Sequence, residues 1–303
     1  MPKLLLPTKK PGEYLHPLEE TRLPGLDILS SPAADCEIVF GEPNLIRDVL
    51  PLLPDLKWVQ STWAGVEPLL DPGLRRDYIL TNARGVFGPL MSEYVFGYLL
   101  LHERKILQRY ASQQEHRWDT TLTGSLQGKT LGLLGVGSIG AHLAGTAKHF
   151  GMTVHGFTLK SESCPDVDVY AHTDIVSFAA DLDYLACVLP NTGATRNIVD
   201  AAVLKSLPRH ALFINAGRGS TVDESALAQA LSSGQVAGAV LDVFQQEPLP
   251  SDHIFWRTPN IFITSHTAAP SFPKEISGLF IENYRRFLGG EVLKYQVDFQ
   301  KGY

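Results

Sequence analysis

Arg218, Glu247 and His266 are the residues through which this 303-residue chain could do chemistry. Arg218 stands in Ile214-Asn215-Ala216-Gly217-Arg218-Gly219, a glycine-rich turn directly after the apolar run Ala211-Leu212-Phe213-Ile214. Glu247 closes Leu241-Asp242-Val243-Phe244-Gln245-Gln246-Glu247 and precedes Pro248, and His266 follows the strand-like Ile261-Phe262-Ile263-Thr264-Ser265. Each falls at or just past the end of an expected strand, the edge at which open α/β sheets hold ligands. The planar fork of a guanidinium suits a carboxylate, and an imidazole beside an acid can give and take a proton near neutrality. Upstream, Gly135-Val136-Gly137-Ser138-Ile139-Gly140 offers a phosphate-binding turn. Together these are the parts that hydride transfer to a 2-oxo acid requires. Taken singly, each has a plain reading: a surface arginine, an exposed loop acid, one of ten histidines.

These residues need a frame of strands to hold them. From about residue 26 to 94, short strands alternate with helices, with Glu37–Phe40, Leu56–Gln60 and Tyr78–Asn82 as the strands. Apolar residues recur at helical spacing from Met91 to about Trp118 (Val95, Leu99, Ile106), which fits one or two helices. A second unit starts near Leu131. Thr130–Leu134 reads as a strand, followed by the glycine-rich turn and a helix to about Phe150. Thr153–Phe157, Tyr184–Leu189, Ala211–Ile214, Ala237–Val243 and Ile261–Thr264 continue the strand series. Such alternation implies a parallel sheet covered on both faces. The first unit is too small to finish its own core, so the last helix, about Lys274 to Leu288, is expected to return to it. The expected division is 1–98 plus 270–303 for a discontinuous substrate-binding domain, and 99–269 for a dinucleotide-binding domain.

In the glycine turn, the first glycine permits the bend, the second lets backbone approach a pyrophosphate, and the third lets helix pack on strand. Ser138 and Ile139 then open a helix whose unpaired N–H groups face the phosphates. Dinucleotide-binding chains that use NAD carry Asp or Glu at the end of the second strand, for the ribose 2′-OH. Here that place reads Phe157-Thr158-Leu159-Lys160-Ser161. Thr158 replaces the acid, and Lys160 is either a ligand for a 2′-phosphate or a solvated loop lysine. NADP(H) is therefore favoured, with NAD(H) as the alternative.

Bulk properties exclude other classes. With 44% hydrophobic and 19% charged residues, a net charge of −6 and no Lys/Arg block, nothing attracts nucleic acid. Cys36, Cys164 and Cys187 match neither a disulfide framework nor a metal site, which points to a reducing, cytoplasmic setting. Leu4–Leu6 is too short for a signal core, and Leu99–Leu101 runs into His102-Glu103-Arg104-Lys105, so no membrane span is expected.

Taken in order, the Gly135–Gly140 turn, Leu189-Pro190-Asn191-Thr192, Asn215–Gly219, Asp223-Glu224, Leu241–Phe244, Glu247-Pro248-Leu249-Pro250 and His266-Thr267-Ala268-Ala269 resemble the D-isomer-specific 2-hydroxyacid dehydrogenase family. Met91-Ser92-Glu93-Tyr94 and the terminal Gln296-Val297-Asp298 and Lys301-Gly302-Tyr303 resemble its members that reduce glyoxylate and hydroxypyruvate. The resemblance implies an α/β architecture of two doubly wound parallel-sheet domains, one Rossmann-type and one flavodoxin-like, with a cleft between them. It implies that Arg218 pairs with the carboxylate and carbonyl oxygen of a 2-oxo acid, joined by the Ala64 and Gly65 N–H groups. His266 would protonate the developing alkoxide, and Glu247 would hold the ring and favour its protonated form. Trp63 and Met91 would line the pocket, or be core. Leu189, Pro190, Thr195, Asn215, Ala216 and Asp242 would complete the cofactor site, and the helix-rich Leu99–Trp118 region would form a homodimer arm. Two departures stand out: Ser265 replaces the proline usual before the histidine, and the second-strand end is poorer in Arg than in NADP-using relatives. The alternatives are a dehydrogenase of bulkier 2-oxo acids and, from another class, a nicotinamide-sensing corepressor-like protein.

Overall fold

The computed structural model describes residues 1–159 and 162–302. It divides into two compact units, Met1–Val86 with the residues from Ser271 onward, and Phe87–Pro270. The first unit opens with β1 (Lys3–Leu5), α1 (Pro11–Thr21), β2 (Asp27–Leu29), β3 (Ile38–Gly41), α2 (Pro43–Val49), β4 (Trp58–Ser61) and β5 (Ile79–Thr81). The second runs α3 (Gly88–Glu103), α4 (Ile106–Gln114), β6 (Thr130–Leu134), α5 (Ser138–His149), β7 (Thr153–Phe157), β8 (Val169–Ala171), α6 (Ile175–Ala179), β9 (Tyr184–Cys187), α7 (Ala201–Ser206), β10 (Leu212–Asn215), α8 (Glu224–Ser232), β11 (Gly238–Leu241) and β12 (Ile261–Ile263). The chain then returns to the first unit as α9 (Pro273–Leu288). The division falls at 86/87 rather than 98/99, because α3 is a single unbroken helix that packs on α5.

In the second unit the strand order is β12-β11-β10-β9-β6-β7-β8, all parallel. The order reverses at β6, between β9 and β7, which is the doubly wound arrangement whose strand C-termini hold ligands at the switch point. Both faces are covered over the central strands β9, β10 and β11, which are buried at every position. Successive residues nonetheless serve opposite faces: Leu185 and Cys187 join the core with Leu227 and Phe255, while Tyr184 and Ala186 join the core with Val95 and Leu143. Asp200 and Asp223 fix where α7 and α8 begin, by accepting from the Ala202 and Val203 amides and from the Ala226 amide.

The first unit has a five-stranded parallel sheet, ordered β2-β1-β3-β4-β5, the flavodoxin-like order. The helix α9 completes its core. The Phe280 ring stacks on Phe40 at 4.6 Å and on Trp58 at 5.0 Å, and all three are fully buried. Burying each such ring stabilises the unit by roughly 1.5–3 kcal/mol. Trp58 Nε1 satisfies its donor on Thr81 Oγ1 at 2.8 Å. Leu4 and Leu5 of the N-terminal apolar triplet lie in β1 of this sheet. Among the described residues, no helix is long and apolar enough to cross a membrane.

Candidate active site

The residues singled out in the second unit gather at one sheet edge, because β6, β7, β9, β10, β11 and β12 run parallel and each lies just past a C-terminus. At β6, Gly135 takes φ +97°, a value open to glycine alone at little cost. A Cβ on Gly140 would lie 2.1 Å from the Gly135 oxygen, whereas one on Gly137 would meet nothing within 4 Å. The third glycine is thus a packing requirement, and the second faces open space at the start of the twelve-residue α5. That is the cradle a pyrophosphate needs, so the residues present fit a dinucleotide. Leu189 lies against this turn, and the Leu189 backbone would be 2.8 Å from a Cβ on Gly217. Thr195 closes its own loop, donating to Pro190 O at 2.7 Å and accepting from the Thr192 amide at 2.9 Å.

Past β7, the Thr158 amide donates to Ala171 O. Lys160 and Ser161 lie outside the described residues. Beside Thr158 stands His172, which the sequence reading passed over. Its Nδ1 is 2.9 Å from Thr158 O, and its Nε2 is 2.6 Å from Glu162 Oε1. The signal for it lay in Val169-Tyr170-Ala171, a three-residue edge strand that ends one residue before it.

At β10, Asn215 builds the Arg218 turn. Its Nδ2 donates to Arg218 O at 3.0 Å, and its Oδ1 accepts from the Gly217 amide at 3.2 Å. Thr221 Oγ1 donates to the same Arg218 oxygen at 2.7 Å, and Arg218 Nη1 donates to Gly217 O at 2.8 Å. Ala216 continues the strand by donating to Cys187 O. The turn also touches the loop that carries Glu247: a Cβ on Gly219 would lie 1.9 Å from the Phe244 carbonyl carbon. Phe244 in turn gives its amide to Glu247 Oε1 at 2.9 Å.

The other carboxylate oxygen, Glu247 Oε2, is 2.8 Å from His266 Nδ1. A carboxylate can only accept, so Nδ1 carries the hydrogen and Nε2 is the ring atom left to meet a substrate. The imidazole is half-exposed at 53%. His266 itself sits at φ +56°, a left-handed conformation that a non-glycine residue adopts only when its surroundings hold it. Asp242 supplies that hold. The His266 amide donates to Asp242 O at 2.8 Å, and Thr267 N and Ala268 N donate to Asp242 Oδ1 and Oδ2 at 2.8 and 3.0 Å. Thr264 Oγ1 donates to Oδ1 at 2.5 Å, and Tyr94 OH lies 2.8 Å from Thr264 Oγ1. Burial pushes the Tyr94 phenol above its ordinary range, so it stays a neutral hydroxyl. Asp242, which the resemblance assigns to the cofactor site, fixes the histidine turn. With Asp242 in place, the turn forms without a proline before the histidine.

The remaining expected substrate residues have separate settings. In the first unit, Trp63 is 37% exposed, its amide bound to Ser61 Oγ and its carbonyl to the Ala83 amide. Asn82 Nδ2 fixes the following residue through Ala64 O at 2.8 Å. In the second unit Met91 is buried in α3.

Comparison with known proteins gives the family of the chain. The family model for the D-isomer specific 2-hydroxyacid dehydrogenase NAD binding domain matches residues 96–268. A glyoxylate/hydroxypyruvate reductase A from Yersinia enterocolitica is 30% identical, over 94% of this chain and 94% of that protein. A D-3-phosphoglycerate dehydrogenase from Methanocaldococcus jannaschii is 29% identical, and there the chain spans only 52% of the relative's length. Among solved structures, a D-isomer specific 2-hydroxyacid dehydrogenase family protein from Aeromonas salmonicida superimposes with a TM-score of 0.91 at 39% identity, covering 98% of this chain and 99% of that one. An NADPH-dependent glyoxylate/hydroxypyruvate reductase from Sinorhizobium meliloti, solved with NADP and sulfate, gives 0.88 at 29% identity with full coverage of both chains. By fold, by cofactor cradle and by this similarity, the chain belongs to the D-isomer specific 2-hydroxyacid dehydrogenase family and is an NAD(P)-dependent enzyme of that family.

Proposed function

We propose that the chain reduces a small 2-oxo acid of the glyoxylate/hydroxypyruvate class to the D-2-hydroxy acid, with NADPH as preferred reductant. The observation that carries this reading is the Glu247–His266 pair at 2.8 Å, on the same sheet edge as the Gly217–Arg218 turn and the glycine cradle. The nicotinamide, when bound, supplies the hydride that adds to the carbonyl carbon. Arg218 takes the substrate carboxylate in its fork and draws charge onto the carbonyl oxygen. His266 gives its Nε2 proton to that oxygen as the alkoxide develops, and Glu247 keeps the ring turned and its Nδ1 hydrogen in place. In the reverse direction, His266 takes the proton back. Asn215 and Asp242 each hold one of the two turns and keep their proposed places in the cofactor site. Trp63, Ala64, Gly65 and Met91 keep the substrate-binding roles that the resemblance assigns, and Leu189, Pro190, Thr195 and Ala216 keep theirs toward the cofactor. The preference for NADPH rests on Thr158 in the place of an acid, on Lys160, and on relatives solved with NADP. The subunit is proposed to act as a homodimer.

The test is loss of NADPH and NADH absorbance over a panel of 2-oxo acids. Glyoxylate and hydroxypyruvate with NADPH should give the highest kcat/KM, and Thr158→Asp should reverse the cofactor preference by adding a 2′-OH acceptor and repelling the 2′-phosphate. Preference for a bulky 2-oxo acid would overturn the substrate assignment.

A further inference from the structure

The edge of the sheet where β7 and β8 end carries a charge that the family reading does not assign. We propose that His172 is a cation for the cofactor's 2′-phosphate, and that Glu162 is an internal anion that the phosphate displaces. This rests on the proposed NADPH preference and adds two residues that would tune it.

The ring's two hydrogen bonds argue for its charge. Thr158 O is a carbonyl and can only accept, so Nδ1 donates to it at 2.9 Å. Glu162 Oε1 belongs to a carboxylate and accepts from Nε2 at 2.6 Å. A ring that donates from both nitrogens is an imidazolium. The Glu162 hydrogen bond, with the Thr158 carbonyl, raises the tendency of His172 to hold its proton above the ordinary histidine range. Position argues for the target. Thr158 stands where dinucleotide-binding chains place the residue that meets the ribose 2′ substituent, and His172 is bound to that residue's backbone. Its partner is displaceable: the Glu162 side chain is 59% exposed.

Among the described residues, the neighbouring carboxylates Asp168 and Asp174 are engaged elsewhere. From the loop after β7, Glu162 faces the ring, while Asp168 is taken up by Lys148 and the Val154 amide. On β7, His155 lies against Phe178. At the start of α6, Asp174 is turned to Ser177, whose amide and hydroxyl it accepts. A 2′-phosphate arriving at Thr158 would therefore meet one described imidazolium with one competing carboxylate. Binding of NADP(H) would exchange the Glu162 hydrogen bond for a phosphate oxygen; no covalent bond changes.

The two members of the pair make opposite predictions. Removing His172 weakens NADP(H) binding, and removing the charge of Glu162 strengthens it. The experiment is isothermal titration of the protein with NADP⁺ and with NAD⁺, without oxo acid, between pH 6.5 and 9, for the wild type, His172→Ala and Glu162→Gln. This range lies above the second phosphate ionisation, near pH 6, so the ligand's charge changes little. The expected results are about tenfold weaker NADP⁺ binding in His172→Ala, as for a lost charge-assisted hydrogen bond, and tighter NADP⁺ binding in Glu162→Gln at neutral pH. NADP⁺ affinity in the wild type should fall as the pH rises and histidine loses its proton, and His172→Ala should remove that fall. NAD⁺ affinity should stay within about twofold throughout, which also reports intact folding. If NADP⁺ binds more tightly than NAD⁺ but His172→Ala changes neither affinity nor pH dependence, this inference is wrong and the NADPH preference stands. If the wild type binds NAD⁺ more tightly, both fall together.

Discussion

Asp242 and His266 are tied together twice over: the His266 amide donates to the Asp242 carbonyl, and the Asp242 carboxylate takes the next two amides, those of Thr267 and Ala268. One buried acid thus holds a histidine in a backbone conformation that costs about 1–3 kcal/mol when unsupported. Asp242→Ala orphans two amides and leaves the Thr264 hydroxyl with Tyr94 alone. It should destabilise the protein by roughly 2 kcal/mol in urea unfolding. It should also lower kcat by about 10²-fold, the scale of a misplaced catalytic group. A variant with wild-type stability and turnover would show that the histidine turn does not depend on this acid.

For Arg218, charge is not enough. The turn built by Asn215 and Thr221 presents a guanidinium, and Arg218→Lys keeps the charge while losing the fork. Because the proposed contact both orients the substrate and polarises its carbonyl, KM should rise and kcat should fall together. Steady-state kinetics with near-wild-type kcat/KM would exclude the role.

The hydrogen bond from His266 to Glu247 should appear in turnover. Glu247 Oε2 accepts from Nδ1 and leaves Nε2 to the substrate. Glu247→Ala removes that acceptor and lets the ring turn, so kcat should fall by about 10²-fold, the scale of a misplaced catalytic group. Wild-type kcat in this variant would show that Glu247 does not orient the ring.

A cluster of apolar side chains on and after α4 stands out in water. Trp118 is 94% and Leu122 92% exposed, with Ile106, Leu107 and Tyr110 exposed nearby on the same stretch. Exposed patches of this kind mark association surfaces, and this one coincides with the expected dimer arm. Light scattering should give twice the 33.3 kDa chain mass for the wild type. The double variant Trp118→Asp/Leu122→Asp should give the monomer mass. A wild-type monomer would remove this assignment.

The sequence was most legible where strands are long and buried. Thr130–Leu134 and Thr153–Phe157 fall where their apolar runs put them, and the glycine turn and the helix after it follow. Three short strands, one inside its sheet and two at edges, were not legible. Lys3–Leu5, Asp27–Leu29 and Val169–Ala171 have three residues each, too few for any periodicity to show. Missing the last of these hid His172. The helix α1 was obscured by Pro17 within it. The break between α3 and α4 falls at Lys105, in a left-handed conformation that its residue type does not announce. Arg218, Glu247 and His266 were readable because each sits in a punctuated turn after an apolar run. The work of Asp242 was not readable, since it depends on amides 25 and 26 residues away.

The most direct test of the central claim, that His266 is the proton donor of a 2-oxo acid reductase, is the turnover of NADPH with glyoxylate and hydroxypyruvate by the wild type and by His266→Ala. The wild type should consume NADPH with both acids, and the variant should lose about 10²–10⁴-fold in kcat, the range for a removed general acid, while still binding NADP⁺. A His266→Ala protein that turns over at the wild-type rate would contradict the account.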